Sequence, residues 1–397
     1  MIEQVAIGDC CQIINGSTPS RNTPEYWDGD IDWFTPKDLS KLGSKYIDEA
    51  PEKITERGYE SCSTTMIPAY SILFTSRAPI GHIAINQRPV CTNQGFKSLV
   101  PSESVDINYL YYVVKKYTPN LQDLGNGATF KELSKATVSA FKLPLPPLEE
   151  QKQIAAILDA ADELRQKDKA LIAKYDELTQ SLFLDMFGDP VTNPMGWVEI
   201  PFNELVSNIT AGVSVGGENR TLNRGENGVL KISAVTSGTF KGNEYKVVDN
   251  DSLPTRLIRP LRGDLIFSRA NTREMVGAVA IVDQDYEHLF LPDKLWRIDL
   301  IEGVGSVYYV QYLLSHEGFR NNLRSVATGT SGSMLNISKA KLLALKIPSP
   351  NKTLKNQFAK QVQAIESQKV IVQDSLNKSE DLFNSLLQKA FKGELTN

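Results

Sequence analysis

Apolar residues recur at intervals of three and four between residues 148 and 187, which is the pattern of an amphipathic helix with a narrow apolar seam. The stretch lacks Gly and Pro, follows the pair Pro146-Pro147 and is closed by Gly188. These signals predict one helix of about 40 residues and, at 1.5 Å per residue, a length of about 60 Å. Its predicted seam consists of Ile154, Ile157, Ala161, Leu164, Leu171, Tyr175, Leu178 and Leu182.

A second stretch with the same pattern closes the chain at residues 354–391, again without Gly or Pro. Prolines precede both stretches, as LPLPP at 143–147 and IPSP at 347–350, and the constant offset indicates a tandem duplication. We expect the two seams to pack on each other, with Asp168 and either Ser379 or Lys369 fixing the register; in the alternative, each helix packs on its own globular half. The second seam consists of Phe358, Val362, Ile365, Val372, Leu376, Phe383 and Leu386.

The segments outside the two helices contain short apolar runs separated by Gly, Pro, Asn and Asp, which are typical of strands. Each segment also carries one predicted helix, near residues 107–114 and 308–314. The predicted class is therefore α+β, with two tandem, pseudo-symmetric and mainly β domains and two long helices. The predicted boundaries are 1–147, 148–190, 191–353 and 354–397.

Two further motifs occur once in each half. ILFTSR at 72–77 corresponds to LIFSR at 265–269, and GATFKELSK at 127–135 corresponds to GTSGSMLNISK at 329–339. Each half is therefore expected to place an arginine at the end of a strand and a loop rich in small polar residues before its long helix.

Composition narrows the class of protein. Four cysteines without C-x-x-C spacing and only three histidines argue against a zinc site and for a reducing cytoplasm, and the chain has no run of 18 apolar residues. The net charge is −4, and residues 148–190 carry five basic and ten acidic side chains, so the remaining chain is close to neutral. A nearly neutral remainder permits local basic surfaces on the globular halves.

No catalytic constellation is evident in the sequence. It lacks a Walker loop, H-E-x-x-H, G-x-S-x-G and the N-P-P or D-P-P motif of amino-methyltransferases. The segment GVSVGG at 212–217 is interpreted as a turn, and Pro292-Asp293 is not followed by the D/E-x-K of a metal-dependent nuclease. Together these absences favour a binding protein.

The proline-led helix start LPLPPLEEQKQIA at 143–155, its weaker copy at 347–357 and the paired arginine and glycine motifs resemble the specificity subunits of type I restriction-modification systems. The resemblance covers essentially the whole chain. The second copy departs from the pattern, because it has KNQ at 355–357 where the first has EQKQ at 150–153.

The resemblance implies a non-catalytic, cytoplasmic DNA-binding protein. Each globular half would be a target recognition domain that reads one part of a split double-stranded DNA site, and the two helices would pack antiparallel as a coiled-coil spacer. Two methyltransferase subunits and two motor-nuclease restriction subunits would attach, and they would bind the methyl donor, magnesium and ATP. A spacer longer by one helical turn, about 5.4 Å, would widen the gap in the site by one or two base pairs of about 3.4 Å.

Base reading requires Arg, Lys, Asn or Gln presented from loops, whereas Thr, Ser and further Lys hold phosphates. The candidates are Lys37, Arg77, Asn93, Gln94 and Lys131 in the first half, and Lys231, Arg269, Arg273, Lys294 and Thr330 in the second. Arg77 and Arg269 have a structural alternative, since both halves keep them although they are expected to read different bases. The acidic helix residues, including Asp159 and Asp162, are expected to face solvent or the methyltransferase subunits.

Two alternative functions remain open at this point. The chain could serve a related system in which one polypeptide fuses nuclease and methyltransferase. It could also be a scaffold that oligomerises through its helices without binding DNA, in which case it would show no salt-dependent affinity for DNA.

Overall fold

The computed structural model describes residues 2–127, 131–329 and 334–395 and divides the chain into two compact units. Unit 1 comprises Met1–Lys169 with Asp374–Asn397, and unit 2 comprises Ala170–Gln373. Both units mix helices with several sheets, in agreement with the predicted α+β class. Because the unit boundaries fall inside both long helices, each unit contains part of each helix. The recognition domains at 1–147 and 191–353 stay a prediction.

The elements that begin in unit 1 are, in chain order, β1 (Gln4–Ala6), α1 (Ile7–Cys10), β2 (Cys11–Asn15), β3 (Trp27–Phe34), α2 (Pro36–Ser40), β4 (Tyr46–Ile47), β5 (Lys53–Ile54), α3 (Glu56–Glu60), β6 (Ile72–Phe74), β7 (Ile83–Asn86), β8 (Cys91–Thr92), β9 (Lys97–Pro101), α4 (Ile107–Asp123), α5 (Lys135–Ala140), β10 (Lys142–Pro144) and α6 (Leu148–Phe187).

Unit 1 is built on a five-stranded sheet in the order β2-β9-β6-β7-β4, beside a three-stranded sheet in the order β5-β3-β8. The strand β6 is buried along its whole length, and α4 packs near β6 and β7 with Tyr109 and Tyr112 inside the core. A two-stranded ribbon of β1 and β10 leads into α6. The hydroxyl of Tyr109 donates a hydrogen bond of 2.7 Å to the carbonyl of Pro144 and so ties α4 to this ribbon.

The elements that follow are β11 (Glu199–Pro201), β12 (Val206–Ala211), β13 (Asn227–Leu230), β14 (Tyr245–Val248), β15 (Leu265–Ser268), β16 (Ala270–Asn271), β17 (Val279–Ile281), β18 (Leu289–Phe290), β19 (Leu295–Leu300), α7 (Val307–Ser315), α8 (Glu317–Val326), β20 (Leu335–Asn336), α9 (Lys339–Leu343), β21 (Lys346–Pro348) and α10 (Lys352–Ala390).

Unit 2 repeats this plan with a main sheet of four strands in place of five. Its main sheet has the order β12-β19-β15-β17, its second sheet has the order β14-β13-β18, and β11 pairs with β21 before α10. The hydroxyl of Tyr309 bonds the carbonyl of Pro348 at 2.7 Å, which is the counterpart of the tyrosine contact in unit 1. Two helices, α7 and α8, occupy the place of α4 in chain order, and they divide at His316.

In unit 1 the first part of α6 contacts the last part of α10. The guanidinium of Arg165 lies 4.3 Å from the ring centroid of Phe383. The buried carboxylate of Asp168 accepts hydrogen bonds from the hydroxyls of Ser375 and Ser379, at 3.1 and 3.2 Å. Higher residue numbers on α6 meet lower numbers on α10, so the helices are antiparallel within this unit.

The remaining parts of the two helices contact each other in unit 2, again in antiparallel order. Phe183 and Phe187 lie 5.8 and 5.2 Å from Phe358, measured between ring centroids. The ammonium of Lys369 bonds the carboxylate of Asp176. The polar positions expected to fix the register are therefore engaged, with Asp168 bonded in unit 1 and Lys369 in unit 2.

The predicted seam of α6 is wrong at four of its eight positions. Ile157, Leu164, Leu171 and Leu178 are exposed by 37, 46, 39 and 50%, and the inward positions are instead Leu158, Arg165, Ile172 and Thr179. The other predicted members, Ile154, Ala161, Tyr175 and Leu182, are buried or half-buried, as are all the predicted seam residues of α10. At Arg165 and Thr179 the error arises because the inward residue is polar, so a search for apolar residues selects its neighbour. At Ile157 and Leu171 two apolar residues are adjacent, and the pattern selected the outer one.

Asp159 and Asp162 also differ from expectation, since both are half-buried. The carboxylate of Asp159 is bonded by the Lys45 ammonium and by the hydroxyl of Tyr112 at 2.6 Å, which attaches α6 to the sheet domain of unit 1. Asp162 pairs with Arg165. Among the described residues, no helix has the length and apolarity needed to span a membrane.

Candidate nucleic-acid interface

Strand register defines which residues of the two units are equivalent. Ile72 of β6 pairs with Leu99 of β9, and Leu265 of β15 pairs with Ile298 of β19. Counting along these pairs, Ser76 is equivalent to Arg269. Backbone bonds agree, because the amide of Ser76 bonds the carbonyl of Gly95 just as the amide of Arg269 bonds that of Lys294.

This register corrects the motif alignment of the sequence analysis, in which Arg77 corresponded to Arg269. Arg77 pairs with Glu132 and Ala270 pairs with Asn336, so Arg77 is equivalent to Ala270. By the same count, Gln94 corresponds to Asp293. The two arginines are therefore not a repeated structural feature.

In unit 1 the candidates Asn93 and Gln94 lie in the connection between β8 and β9. The amide nitrogen of Asn93 bonds the carbonyl of Phe34, and its side-chain oxygen accepts the amide of Gly95 at 2.8 Å, which fixes a tight turn. Gln94 is exposed, and its side-chain oxygen accepts the Thr18 hydroxyl at 2.6 Å. The turn therefore holds the amide of Gln94 at the surface.

The loop that carries Thr18 is held by aromatic side chains, a feature that the sequence analysis missed. The indoles of Trp33 and Trp27 donate to the carbonyls of Ser17 and Ser20, at 3.0 and 3.1 Å. Arg21 stacks over Trp27 with its guanidinium 3.8 Å from the ring centroid and forms two hydrogen bonds to Glu52. The only sequence signal is the spacing of Trp and Arg, which is too common to identify such a contact.

Two basic candidates of unit 1, Lys37 and Arg77, each follow a residue that contacts Gly95 in this turn, namely Pro36 and Ser76. Lys37 is exposed on α2, whose N-terminus is closed by a reciprocal capping box between Thr35 and Asp38. On the other side Arg77 lies 3.6 Å from Glu132, and Lys131, the residue before Glu132, is exposed.

A buried lysine that the sequence analysis did not select lies beside this group. The ammonium of Lys97 is 3.4 Å from the Ser76 hydroxyl and 3.9 Å from Glu132. Burial lowers the pKa of Lys97, although Glu132 acts in the opposite direction. Its partners hold the Lys97 ammonium inside the domain. Lys37, Arg77 and Lys131 are therefore better placed than Lys97 to contact a ligand at the surface.

In unit 2 Arg269 is held by two residues. Its Nε donates to the carbonyl of Asp293 at 3.0 Å, one terminal nitrogen donates to the Asp293 carboxylate at 2.9 Å, and the other donates to Asn336 at 3.3 Å. Ser214 donates to the same carboxylate. Burial raises the pKa of Asp293, but the hydrogen bonds from Ser214 and Arg269 outweigh it and leave the pKa below its ordinary value. Asp293 therefore remains ionised at neutral pH.

The other candidates of unit 2 differ in how firmly they are held. Lys231 lies 3.7 Å from Glu244, Lys294 is half-buried next to Asp293, and Arg273 is exposed. Thr330 lies outside the described residues. The structure thus brings Arg269 and Lys294 together, whereas Lys231 begins the turn after β13.

No group of three or more His, Cys, Asp or Glu side chains that could hold a metal ion occurs in the described part of the chain. The two clusters offer hydrogen-bond donors and acceptors at the surface, with basic groups around them. This chemistry suits recognition of a polar, anionic polymer.

Comparisons with known proteins identify the family of the first part of the chain. The model of the type I restriction modification DNA specificity domain matches residues 2–174. Those residues belong to the type I restriction specificity-domain family. The resemblance inferred from the sequence is therefore confirmed.

Relatives of this specificity family match different lengths of the chain. The type I restriction enzyme MjaIX specificity subunit of Methanocaldococcus jannaschii is 41% identical over 183 residues, 46% of this chain and 41% of that protein. The MjaVIII specificity subunit of the same organism is 24% identical over 92% of this chain and 86% of that protein. In the MjaIX alignment the chain spans less than half of the relative.

The fold also matches a solved structure of a specificity subunit. The S subunit of a type I restriction-modification system from M. genitalium has a TM-score of 0.58 at 14% identity, over 98% of this chain and 96% of that one. The named relatives are specificity subunits, which agrees with the expectation of a non-catalytic subunit.

Proposed function

We propose that this chain is the sequence-specific DNA-binding subunit of a type I restriction-modification complex and that it reads a bipartite, asymmetric site. The observation that carries the proposal is the repeated cluster at equivalent strand ends, Thr18 with Gln94 in unit 1 and Ser214 with Asp293 and Arg269 in unit 2. The backbone frame is shared and the polar groups differ. Two readers of this kind would recognise two different half-sites.

The proposed gap between the half-sites is set by α6 and α10, acting as an antiparallel coiled coil. The helices have 40 and 39 residues and would each span about 60 Å. A helix of this length is longer than is needed to cover the core of one half of the chain. The polar contacts of Asp168 with Ser375 and of Lys369 with Asp176 support a single register. A fixed register would give a fixed gap.

The proposed partners are double-stranded DNA, two methyltransferase subunits and two restriction subunits, with methyl donor, magnesium and ATP bound by those subunits. Ile157 and Leu164 in unit 1 support a protein partner on α6, because they are exposed and seven residues apart and therefore lie on one helix face. Leu171 and Leu178 have the same relation in unit 2. Exposed apolar residues in such a row favour a partner over solvent.

The test is to co-express the chain with the methyltransferase encoded beside it and to map modified bases across the host genome by single-molecule sequencing. The proposal predicts one split motif with a constant gap and different half-sites. A continuous motif would contradict it.

A second measurement separates the proposal from a scaffold that does not bind DNA. The affinity of the complex for its mapped site should fall steeply between 50 and 200 mM salt, on the order of 10³-fold if about six phosphates are contacted. An affinity for DNA that is negligible at both salt concentrations would support the scaffold. Whether nuclease and methyltransferase co-purify as one fused polypeptide would distinguish the related fused system.

A further inference from the structure

The two equivalent clusters differ in the hydrogen-bond pattern that they present. We call Thr18 and Gln94 the first slot, and Ser214, Asp293, Arg269 and Asn336 the second slot. Each slot pairs a hydroxyl from the loop after β2 or β12 with the side chain before β9 or β19. Gly16 and Gly212 start these loops, and a side chain at either position would meet backbone carbonyl oxygens at 2.2 and 1.9 Å.

Gln94 presents an amide whose orientation is defined by its neighbour. The Thr18 hydroxyl donates to Oε1 and uses one of its two lone pairs, while Nε2 carries two donor hydrogens. An amide that presents one acceptor and one donor side by side matches the N6 amino group and N7 of adenine in the major groove. The first slot thus has the chemistry of an adenine reader.

The second slot presents a different group. Asp293 and Asn336 together accept three of the five donor hydrogens of Arg269, from Nε and from both terminal nitrogens. The remaining two hydrogens, one on each terminal nitrogen, form the fork that matches O6 and N7 of guanine. A carboxylate behind the guanidinium also reduces the rotamer freedom lost on binding.

The surroundings allow a duplex to approach both slots. Lys37 and Lys131 are exposed near the first slot, and Arg273 is exposed two residues beyond the strand β16 that continues from Arg269. Exposed cations of this kind hold phosphates while neighbouring groups read base edges. The side chain of Arg269 is itself 28% exposed, which leaves its outer edge accessible.

We propose that Gln94 reads an adenine in the first half-site and that Arg269, held by Asp293 and Asn336, reads a guanine in the second. This inference rests on the proposed function and adds the bases and the residues that read them. It predicts an adenine on one side of the gap and a guanine on the other. Removing one of these two base contacts should leave the other contact intact.

The experiment uses the full chain in complex with its methyltransferase and a fluorescent duplex that carries the mapped motif. 7-Deazaguanine, which lacks N7, replaces each guanine of the second half-site in turn, and 7-deazaadenine replaces each adenine of the first. Each base change is combined with Arg269→Lys or Gln94→Glu. The controls Arg262→Lys and Gln87→Glu make the same substitutions outside the slots, before β15 and after β7.

One 7-deazaguanine position should weaken binding of the unmodified complex by about 5-fold, the lower end of the range for a bidentate base contact, because the analogue loses N7 and keeps O6. Arg269→Lys should weaken binding to the normal duplex similarly and should show little further loss at that position. Gln94→Glu should show the same coupling with one adenine of the first half-site. The two control variants should behave as the unmodified complex does.

Several outcomes would overturn the assignment. A mapped second half-site without guanine, or a first half-site without adenine, excludes the corresponding slot at once. If the fold-losses in affinity from the base analogue and from the substitution simply multiply at every position, the assignment is also contradicted. The base analogues bound to the unmodified complex test recognition even if a variant folds poorly. A complex with no preference for its mapped duplex over a scrambled one would refute the proposed function itself.

Discussion

The two sheet domains of this chain share their anchoring contacts and differ at their exposed strand ends. Tyr109 and Tyr309 each reach a proline carbonyl before a long helix, with the same 2.7 Å bond to Pro144 and Pro348. At the strand ends Gln94 is replaced by Asp293, and Ser76 by Arg269. After a duplication, contacts that hold the fold are kept because losing them destabilises the domain, whereas exposed groups can change with the half-site.

The same comparison separates two kinds of buried polar residue at the start of the long helices. Gln151 of α6 donates to the carbonyls of Ser104 and Pro146 and accepts the amide of Asp106. Its equivalent on α10 is Lys355, whose ammonium donates to the carbonyl of Val304 at 2.7 Å. Both side chains tie a helix to its domain, but only one of them buries a charge.

The largest expected effect tests the shared frame. Gly16→Ala and Gly212→Ala should each lower the free energy of unfolding by about 3 kcal/mol, because the added carbon would collide with backbone rather than with a flexible side chain. Chemical denaturation of the complex measures this loss. Gly43→Ala and Gly216→Ala, where a Cβ meets open space, are the matched controls for units 1 and 2. Equal stability of test and control variants would show that the close backbone approach at Gly16 and Gly212 does not constrain these loops.

The next effect sharpens the difference between Gln151 and Lys355. Gln151→Met should cost about 2 kcal/mol, since it removes a buried hydrogen bond to the carbonyl of Pro146 and two half-buried ones to the backbone of Ser104 and Asp106. Lys355→Met should cost less or even stabilise, because it removes a buried ammonium whose hydrogen bond to the carbonyl of Val304 offsets only part of the cost of burying the charge. Denaturant midpoints of the two variants at pH 7 compare them directly. Equal losses would contradict this distinction.

The pH dependence of the Lys355 variant follows from the same burial. Burial lowers the pKa of Lys355, so between that pKa and the ordinary value of about 10.4 the unfolded chain binds more protons than the folded chain. The contribution of Lys355 to the free energy of unfolding therefore rises with pH in this window. The advantage of Lys355→Met over the native chain should be largest at neutral pH and should shrink toward pH 10. A stability advantage of Lys355→Met that grows with pH would contradict a lowered pKa of Lys355.

The smallest effect tests the tyrosine anchors. Tyr109→Phe and Tyr309→Phe should each lower the free energy of unfolding by about 1 kcal/mol, because each removes one buried hydrogen bond to a proline carbonyl. The two losses should be similar. Thermal unfolding of the two variants, with the exposed Tyr70→Phe as control, measures the difference. A much larger cost on one side would show that the anchors are not equivalent.

Sequence patterns predicted the long helices well and their contacts less well. The predicted helix at 148–187 agrees with α6, since apolar spacing and the flanking Pro and Gly are local signals. The seam was placed wrongly at four of eight positions. Two of these errors arose because Arg165 and Thr179 face inward, one through a ring contact and the other through a hydrogen bond to backbone, which hydrophobicity does not reveal. Asp159 was likewise placed outside because its partner Lys45 is distant in sequence.

The candidate site shows a similar limit. Residue type alone selected Gln94 and Arg269, but it could not show that Thr18 and Asp293 hold them. The extra Thr in the first strand motif made Arg77 appear equivalent to Arg269, and only the hydrogen-bonded register of the sheets resolves that shift. The Thr18–Gln94 contact spans 76 residues and the Arg269–Asp293 contact spans 24, and neither separation leaves a periodic signal in a single sequence.

Lengthening both long helices and mapping the bases that the resulting complex modifies tests directly whether two readers are held on one spacer. Inserting seven residues into α6 and seven at the facing position of α10 preserves the seam and adds about 10.5 Å, or roughly three base pairs. The account predicts that both half-sites stay the same while the gap grows by about three base pairs. A gap that is unchanged in an active complex, or half-sites that change with the insertion, would contradict the account of two readers on one spacer.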